Sequence, residues 1–322
     1  MAKVYVTRRI PQAGIDMLAE KYEVEVSPHD RPLTRDELLS AVDGADAVVT
    51  LLTDRIDAEV FDAAKRAKGF ANYAVGYNNM DVAEATKRKI PLSNTPGVLT
   101  DATADMAWAL LFSVARRIVE SDAHMRSGEW GGWGPLQFLG GDITGRTLAI
   151  IGAGRIGTAM ALKSAGFGMN VLYVDEYKNE VLESKIGAKQ SSLDEAIETA
   201  DFISVHVPLL PETTHLFGAE QFAKMKESAY LINTSRGPVL DEAALVEALR
   251  KGEIAGAGLD VYEKEPEAAP GLSDLPNVVM TPHIASATKQ TRDDMATLAA
   301  QNIIAMIEGS EPPTCVNPEV LA

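Results

Sequence analysis

Short apolar runs alternate with amphipathic stretches along the chain. Residues 4–7, 45–52 and 70–75 have the length and β-branched content of buried strands. Between them, residues 11–21, 58–66 and 82–89 carry apolar positions at helical spacing, the first with Pro11 at its start. This alternation predicts a parallel sheet with helices on both faces. A long apolar helix is expected over 103–117, then an irregular stretch rich in Gly and Trp over 130–145. The alternation restarts with strands at 147–151, 170–174, 202–207, 229–233 and 254–259, and a helix at 156–165. Ser192 and Glu195 have the spacing of a capping box, and Asp241 is placed to cap a helix running through Leu249. A last helix over about 288–307 sets Met295, Leu298, Ala299, Asn302, Ile303, Met306 and Ile307 on one face. Two successive patterns of this kind predict two α/β domains. Periodicity does not say which of them takes the last helix.

The length of 322 residues agrees with about two domains. The 30 basic residues face 46 acids, a net charge of -16. Such a surface repels phosphate backbones, so a nucleic-acid partner is not expected. An anionic substrate needs a locally positive pocket. No window approaches ~18 uncharged apolar residues, so no membrane span is expected. The N-terminus lacks the apolar core of a secretory signal. One cysteine, Cys315, can form neither an internal disulfide nor a cysteine-rich metal site, and no metal is predicted. A reducing, cytoplasmic compartment is the expectation.

Candidate chemistry begins at Gly152-Ala153-Gly154-Arg155-Ile156-Gly157, a G-x-G-x-x-G between an apolar strand and an apolar helix. The first glycine permits a tight turn, the second lets a pyrophosphate approach the backbone, and the third lets helix and strand pack closely. The helix start supplies unpaired N–H groups and a positive dipole end. Asp175 stands 18 residues past Gly157, at the end of the next strand, where an acid accepts bonds from ribose hydroxyls. It repels the extra phosphate of NADP, and only Lys178 follows nearby as a cation, so NAD is favoured.

Three polar groups lie near later strand ends, where open α/β sheets bind ligands. Arg236 follows the strand ending at Asn233, and its fork suits the carboxylate and carbonyl of a 2-oxo acid. Glu265 lies in Glu263-Lys264-Glu265-Pro266, and His283 in Thr281-Pro282-His283-Ile284-Ala285. Histidine is a natural proton donor near neutral pH, and a neighbouring carboxylate stabilises its charged form. The other histidines lack such a setting; His206 lies in an apolar run and reads as a core or cleft residue. No G-x-S-x-G elbow is present, which weakens a hydrolase reading.

These motifs, with Ser235-Arg236-Gly237-Pro238-Val239 and Gly258-Leu259-Asp260-Val261, give the chain a resemblance to the D-isomer-specific 2-hydroxyacid dehydrogenases over almost its full length. Asn72-Tyr73-Ala74-Val75-Gly76-Tyr77-Asn78-Asn79, residues 100–105 and the Ser127 to Trp133 segment most resemble the glyoxylate/hydroxypyruvate reductases within that family. Ala285 stands where many relatives have glycine.

The resemblance implies a catalytic triad of Arg236, Glu265 and His283. It implies that the backbone N–H groups of Val75 and Gly76 hold the substrate carboxylate. Leu52 lines the pocket, Ser286 lies near the substrate, and Trp133 reaches the neighbouring subunit's pocket in a homodimer. Around the glycine turn it assigns Thr103, Val207, Pro208 and Thr213 to the cofactor, and further along Thr234, Ser235, Asp260, His283 and Ala285. The implied fold is two doubly wound parallel-sheet domains, a Rossmann nucleotide domain and a flavodoxin-like substrate domain, with a cleft between them. The substrate domain takes residues 1–97 and 286–322, the NAD-binding domain 98–285. The implied activity is NADH-dependent reduction of glyoxylate to glycolate and of hydroxypyruvate to D-glycerate. D-lactate or D-3-phosphoglycerate dehydrogenase is the alternative among enzymes, although Leu51 and Leu52 suggest an apolar wall where a phosphate wants cations. A non-enzymatic NAD-sensing interaction protein is the alternative from another class.

Overall fold

The structure, a computed structural model, describes residues 1–321. Ala322, the last residue of the expected substrate domain, lies outside them. The chain divides into two compact units, Met1–Leu99 with Ala287–Ala322, and Thr100–Ser286.

The first unit holds strands β1 (Lys3–Val6), β2 (Glu23–Val26), β3 (Ala47–Thr50), β4 (Phe70–Asn72) and β5 (Leu92–Ser93). They form one parallel sheet in the order β2-β1-β3-β4-β5. This is the flavodoxin-like order, with its switch point between β1 and β3. Val4, Val6, Val48, Val49, Phe70 and Leu92 are fully buried, because both faces of the sheet are covered. Strand β2 was not predicted. Its Glu-Val-Glu-Val sequence has no apolar run and no fully buried residue, as suits a sheet edge. Three of this unit's helices start at side-chain caps in which Thr34 and Glu37 form a capping box and Asp57 and Asp81 cap the helices that follow them.

The last helix, Lys289–Glu308, belongs to this unit and packs on the helix Gln12–Ala19 and on β3 and β4. The approach is close: a Cβ at Gly14 would lie 2.5 Å from the Ala296 carbonyl oxygen. Ala296, Ala299, Ala300 and Ala305 therefore share the buried face with Met295, Ile303 and Met306. Leu298 and Ile307, expected on that face, are only half-buried. Small residues carry this contact, and a search for large apolar side chains passes over them.

The second unit holds β6 (Thr147–Ile151), β7 (Asn170–Val174), β8 (Lys189–Gln190), β9 (Phe202–Val205), β10 (Tyr230–Asn233), β11 (Gly256–Leu259) and β12 (Val278–Met280). Their parallel order is β12-β11-β10-β9-β6-β7-β8. The chain starts inside the sheet at β6, runs outward to β8, and returns to β9 on the other side of β6. That reversal places the switch point between β6 and β9. The helix Thr100–Ala115 packs on β10, β11 and the helix Arg155–Lys163. Trp108 fixes it there, donating Nε1–H to the Met160 carbonyl at 3.1 Å.

Two local expectations need correction. Ser192 caps its helix through the Glu195 N–H, but the Glu195 carboxylate accepts from the Ser191 hydroxyl at 2.8 Å instead of closing a capping box. The helix Ile118–Ser127 was not predicted; it buries no residue, so its sequence carries no core-facing stripe. Among the described residues no helix is long and apolar enough to cross a membrane.

Candidate active site

Strand β6 ends at Ile151, and Gly152 then takes a φ of +95°, which glycine adopts without strain. A Cβ there would lie 2.8 Å from the His206 carbonyl carbon and the Val207 nitrogen, so the end of β9 passes directly behind the turn. At Gly157 a Cβ would lie 2.0 Å from the Gly152 carbonyl oxygen, which lets the helix Arg155–Lys163 begin tight against the turn. At Gly154 no atom lies within 4 Å of the Cβ position. Gly154 is the N-cap and has no side chain to satisfy the first N–H groups of the helix that Arg155 and Ile156 open. The middle glycine thus leaves donors facing open space.

Asp175 is locked to this turn. Its Oδ2 accepts from Ala153 N–H at 2.7 Å and its Oδ1 from Tyr177 N–H at 3.2 Å. Asn179 adds a second tie, donating to the Ala153 carbonyl at 2.9 Å and the Thr158 hydroxyl at 2.8 Å. Beyond Val207, Thr213 shapes the loop: its hydroxyl donates to the Pro208 carbonyl at 2.7 Å and accepts from Leu210 N–H at 2.8 Å. Thr103 is buried in the helix Thr100–Ala115. The Oγ1 of Thr234 is buried and has no hydrogen-bond partner, which suits an atom that meets a ligand. Open N–H groups at a helix start, an acid at the next strand end and an unsatisfied hydroxyl fit a dinucleotide.

The acid–base groups lie past the ends of β10, β11 and β12. His283 Nδ1 is 2.9 Å from Glu265 Oε2. Glu265 Oε1 accepts from Tyr262 N–H at 3.2 Å. Burial acts to raise the Glu265 pKa, but His283, the Tyr262 N–H and the Arg236 charge outweigh it, and the carboxyl sits below its ordinary range. Arg236 is half-buried; the loss of water around its guanidinium lowers its pKa, and the Glu265 charge opposes that shift. Its Nη1 donates to the Ser235 carbonyl at 2.7 Å.

Each of these side chains is held by a buried polar residue. Asp260, fully buried, accepts from Ile284 N–H at 2.8 Å, Ala285 N–H at 2.7 Å and the Thr281 hydroxyl at 2.6 Å. It grips the loop on which His283 takes a φ of +54°, and Ser286 follows that loop half-buried. Asn233 accepts from the N–H and hydroxyl of Ser235 and donates to the Arg236 carbonyl at 3.0 Å. Glu242 accepts from Glu263 N–H at 2.9 Å and Ala269 N–H at 3.0 Å, and so brackets Glu265. Burial pushes the Glu242 carboxyl up. The supporting roles of Asn233 and Glu242 were missed; the signal available was a polar residue closing an apolar strand and an acid in the first turn of a helix. His206 bonds Ser204 at 2.8 Å, and burial lowers its pKa to about 4.

In the first unit, Leu52 lies in the turn after β3 and Val75 and Gly76 follow β4. Asn94 donates to the Val75 carbonyl at 2.7 Å and Asn72 to the Gly76 carbonyl at 3.0 Å. Among the described residues no hydrogen bond engages the N–H of Val75 or Gly76. The Val75 carbonyl and Gly76 N–H share one peptide plane, so the Asn94 bond also fixes the direction of that donor. Trp133 is 84% exposed, in a segment where Trp130, Leu136 and Leu139 are exposed too.

A family model described as D-isomer specific 2-hydroxyacid dehydrogenase, NAD binding domain, matches residues 108–285. The chain is 52% identical to a glyoxylate reductase of Thermococcus onnurineus (strain NA1), over 99% of this chain and 97% of that protein. A crystal structure of a Thermus thermophilus protein matches with a TM-score of 0.92 and 46% identity, covering 98% of this chain and 99% of the other. An NADPH-dependent glyoxylate/hydroxypyruvate reductase from Sinorhizobium meliloti, solved with NADP and malonate, matches with a TM-score of 0.86 and 33% identity, covering 98% and 96%. With its glycine turn, strand orders and full-length identity to these proteins, the chain belongs to the D-isomer-specific 2-hydroxyacid dehydrogenase family and is an oxidoreductase with a nicotinamide-nucleotide-binding domain.

Proposed function

We propose that the enzyme reduces glyoxylate to glycolate, and hydroxypyruvate to D-glycerate, with NADH. The observation that carries the chemistry is the His283–Glu265 pair, in the field of the half-buried Arg236. The identity to glyoxylate reductases supports the choice of substrate.

The glycine turn, Asp175 and Thr234 hold the cofactor, which when bound supplies a hydride from its reduced nicotinamide. Arg236 binds the keto acid and polarises its carbonyl oxygen, stabilising the charge that develops there. His283 keeps Nδ1 on Glu265, so Nε2 is the nitrogen that gives its proton to the developing alkoxide. The N–H groups of Val75 and Gly76 take the substrate carboxylate, Leu52 lines the side of its variable group, and Ser286 lies beside it. Asp175 presents a carboxylate where NADP carries its extra phosphate, which supports NADH even though the Sinorhizobium relative takes NADPH. The exposed Trp133 segment and the helix Ile118–Ser127 pair with a second copy in a homodimer, and a cytoplasmic location fits the single cysteine.

The test is oxidation of NADH and NADPH with a panel of keto acids: glyoxylate, hydroxypyruvate, pyruvate, 2-oxoglutarate and 3-phosphohydroxypyruvate. The highest kcat/KM is expected on glyoxylate or hydroxypyruvate with NADH. Preference for a larger or phosphorylated acid overturns the substrate assignment, and preference for NADPH overturns the Asp175 argument.

A further inference from the structure

The turn that carries Leu52 and the turn that carries Val75 and Gly76 are joined by one amide. Asn79 Nδ2 donates to the Leu51 carbonyl at 3.1 Å and to the Asp54 carbonyl at 2.9 Å. It therefore bridges the carbonyls on either side of Leu52. Asn79 Oδ1 accepts from Asn72 Nδ2 at 3.0 Å. Asn72 is fully buried, and the same Nδ2 donates to the Gly76 carbonyl at 3.0 Å. Its Oδ1 accepts from the Thr50 hydroxyl at 3.2 Å, at the end of β3. From the other side, the Asp54 carboxylate holds the turn through Leu51 N–H at 2.8 Å and the Thr7 hydroxyl at 2.5 Å.

This position must donate two bonds and accept one. Asparagine does both within one rigid plane. A carboxylate of the same shape would set its lone pairs against two carbonyl oxygens. An apolar side chain would leave the Asp54 carbonyl without a partner, the Leu51 carbonyl with only the Asp54 N–H, and the Asn72 amide with only its bond to Gly76.

We propose that Asn79 is a specificity-determining positioning residue. It holds the Leu52 wall at a fixed separation from the N–H groups of Val75 and Gly76, and so sets how large a side group the keto acid can carry. This rests on the reading that Leu52, Val75 and Gly76 contact the substrate.

The experiment compares wild type, Asn79→Asp, Asn79→Ala and Leu52→Ala as full-length enzymes. KM and kcat are measured for glyoxylate, 2-oxobutyrate and phenylpyruvate, with KM for NADH and a thermal melt alongside. Both Asn79 variants are expected to raise KM for glyoxylate about tenfold, the scale of a small misplacement of binding groups, and to narrow the preference for glyoxylate over the bulkier acids. Their KM for NADH and saturating kcat are expected to stay within about threefold of wild type, because the groups that move contact only the keto acid. A lower melting temperature with KM and substrate preference unmoved overturns the proposal, since a merely structural role predicts that. Leu52→Ala separates the two levels. If it widens the substrate range while neither Asn79 variant does, the inference about Asn79 fails alone. If Leu52→Ala also leaves the preference untouched, the pocket reading fails and takes the inference with it. Asn79→Ala keeps the question decidable where the charged replacement does not fold.

Discussion

His283 has one ring nitrogen committed to Glu265, which leaves Nε2 for the proton transfer proposed above. His283→Ala is expected to lower kcat by about 10²–10⁴-fold while NADH binding, followed by nucleotide fluorescence, hardly changes. Arg236→Ala is expected to raise KM for the keto acid and lower kcat together, because in the proposed function the same guanidinium both binds the substrate and stabilises developing charge. A different dependence follows from His206, whose pKa falls from 6.5 to about 4 on burial. Between those values the unfolded chain binds a proton that the folded chain refuses. The contribution of His206 to stability is therefore intact above 6.5 and is lost as pH drops toward 4. His206→Asn is expected to flatten that decline, read as urea midpoints on either side of the window. Glu265 and His283 were legible in the sequence because each closes a strand-end motif, and the structure bonds them. Asn79 and Glu242 were not legible as supports. Each works by bonding backbone groups up to 28 residues away, and no local pattern records such a bond.

The turn between β6 and its helix uses its glycines in physically different ways, and substitution can tell them apart. Gly157→Ala drives a Cβ to 2.0 Å from a backbone oxygen, so it is expected to destabilise the fold by about 1–3 kcal/mol, the range of an overpacked core site. Gly154→Ala meets no atom within 4 Å, so the melt is expected to be unchanged while KM for NADH rises. Equal loss of stability in both variants would contradict this division. The apolar strands were readable because buried parallel strands are short runs of Val, Ile, Leu and Ala. Two of the strands that escaped reading lack that signature, whereas β12, a Val-Val-Met run, has it and was still passed over. Strand β2 alternates glutamate with valine at an edge, and Lys189–Gln190 is two exposed residues long. The helix Ile118–Ser127 has no buried side at all, so its apolar residues had no partner to reveal their purpose.

Across the whole molecule, that helix and the following segment expose Ile118, Val119, Met125, Trp130, Trp133, Leu136 and Leu139, against a surface charge of -16. This apolar surface is what the proposed homodimer would bury. Trp133→Ser combined with Leu136→Ser is expected to move the mass in sedimentation from dimer toward monomer; a wild type already monomeric at micromolar concentration would refute the pairing. Length and alternation foretold two α/β units, but not where the last helix goes, because periodicity shows that a face is buried and not what it packs against, here Gly14 and its neighbours. The return of that helix also has a temporal meaning. Residues Thr100–Ser286 are continuous, so they can finish folding as they leave the ribosome. Strands β1 to β5 emerge earlier yet must wait for Lys289–Glu308 to cover β3 and β4. The part of the protein made first is thus completed last, with one face of its sheet uncovered until the final helix has been made.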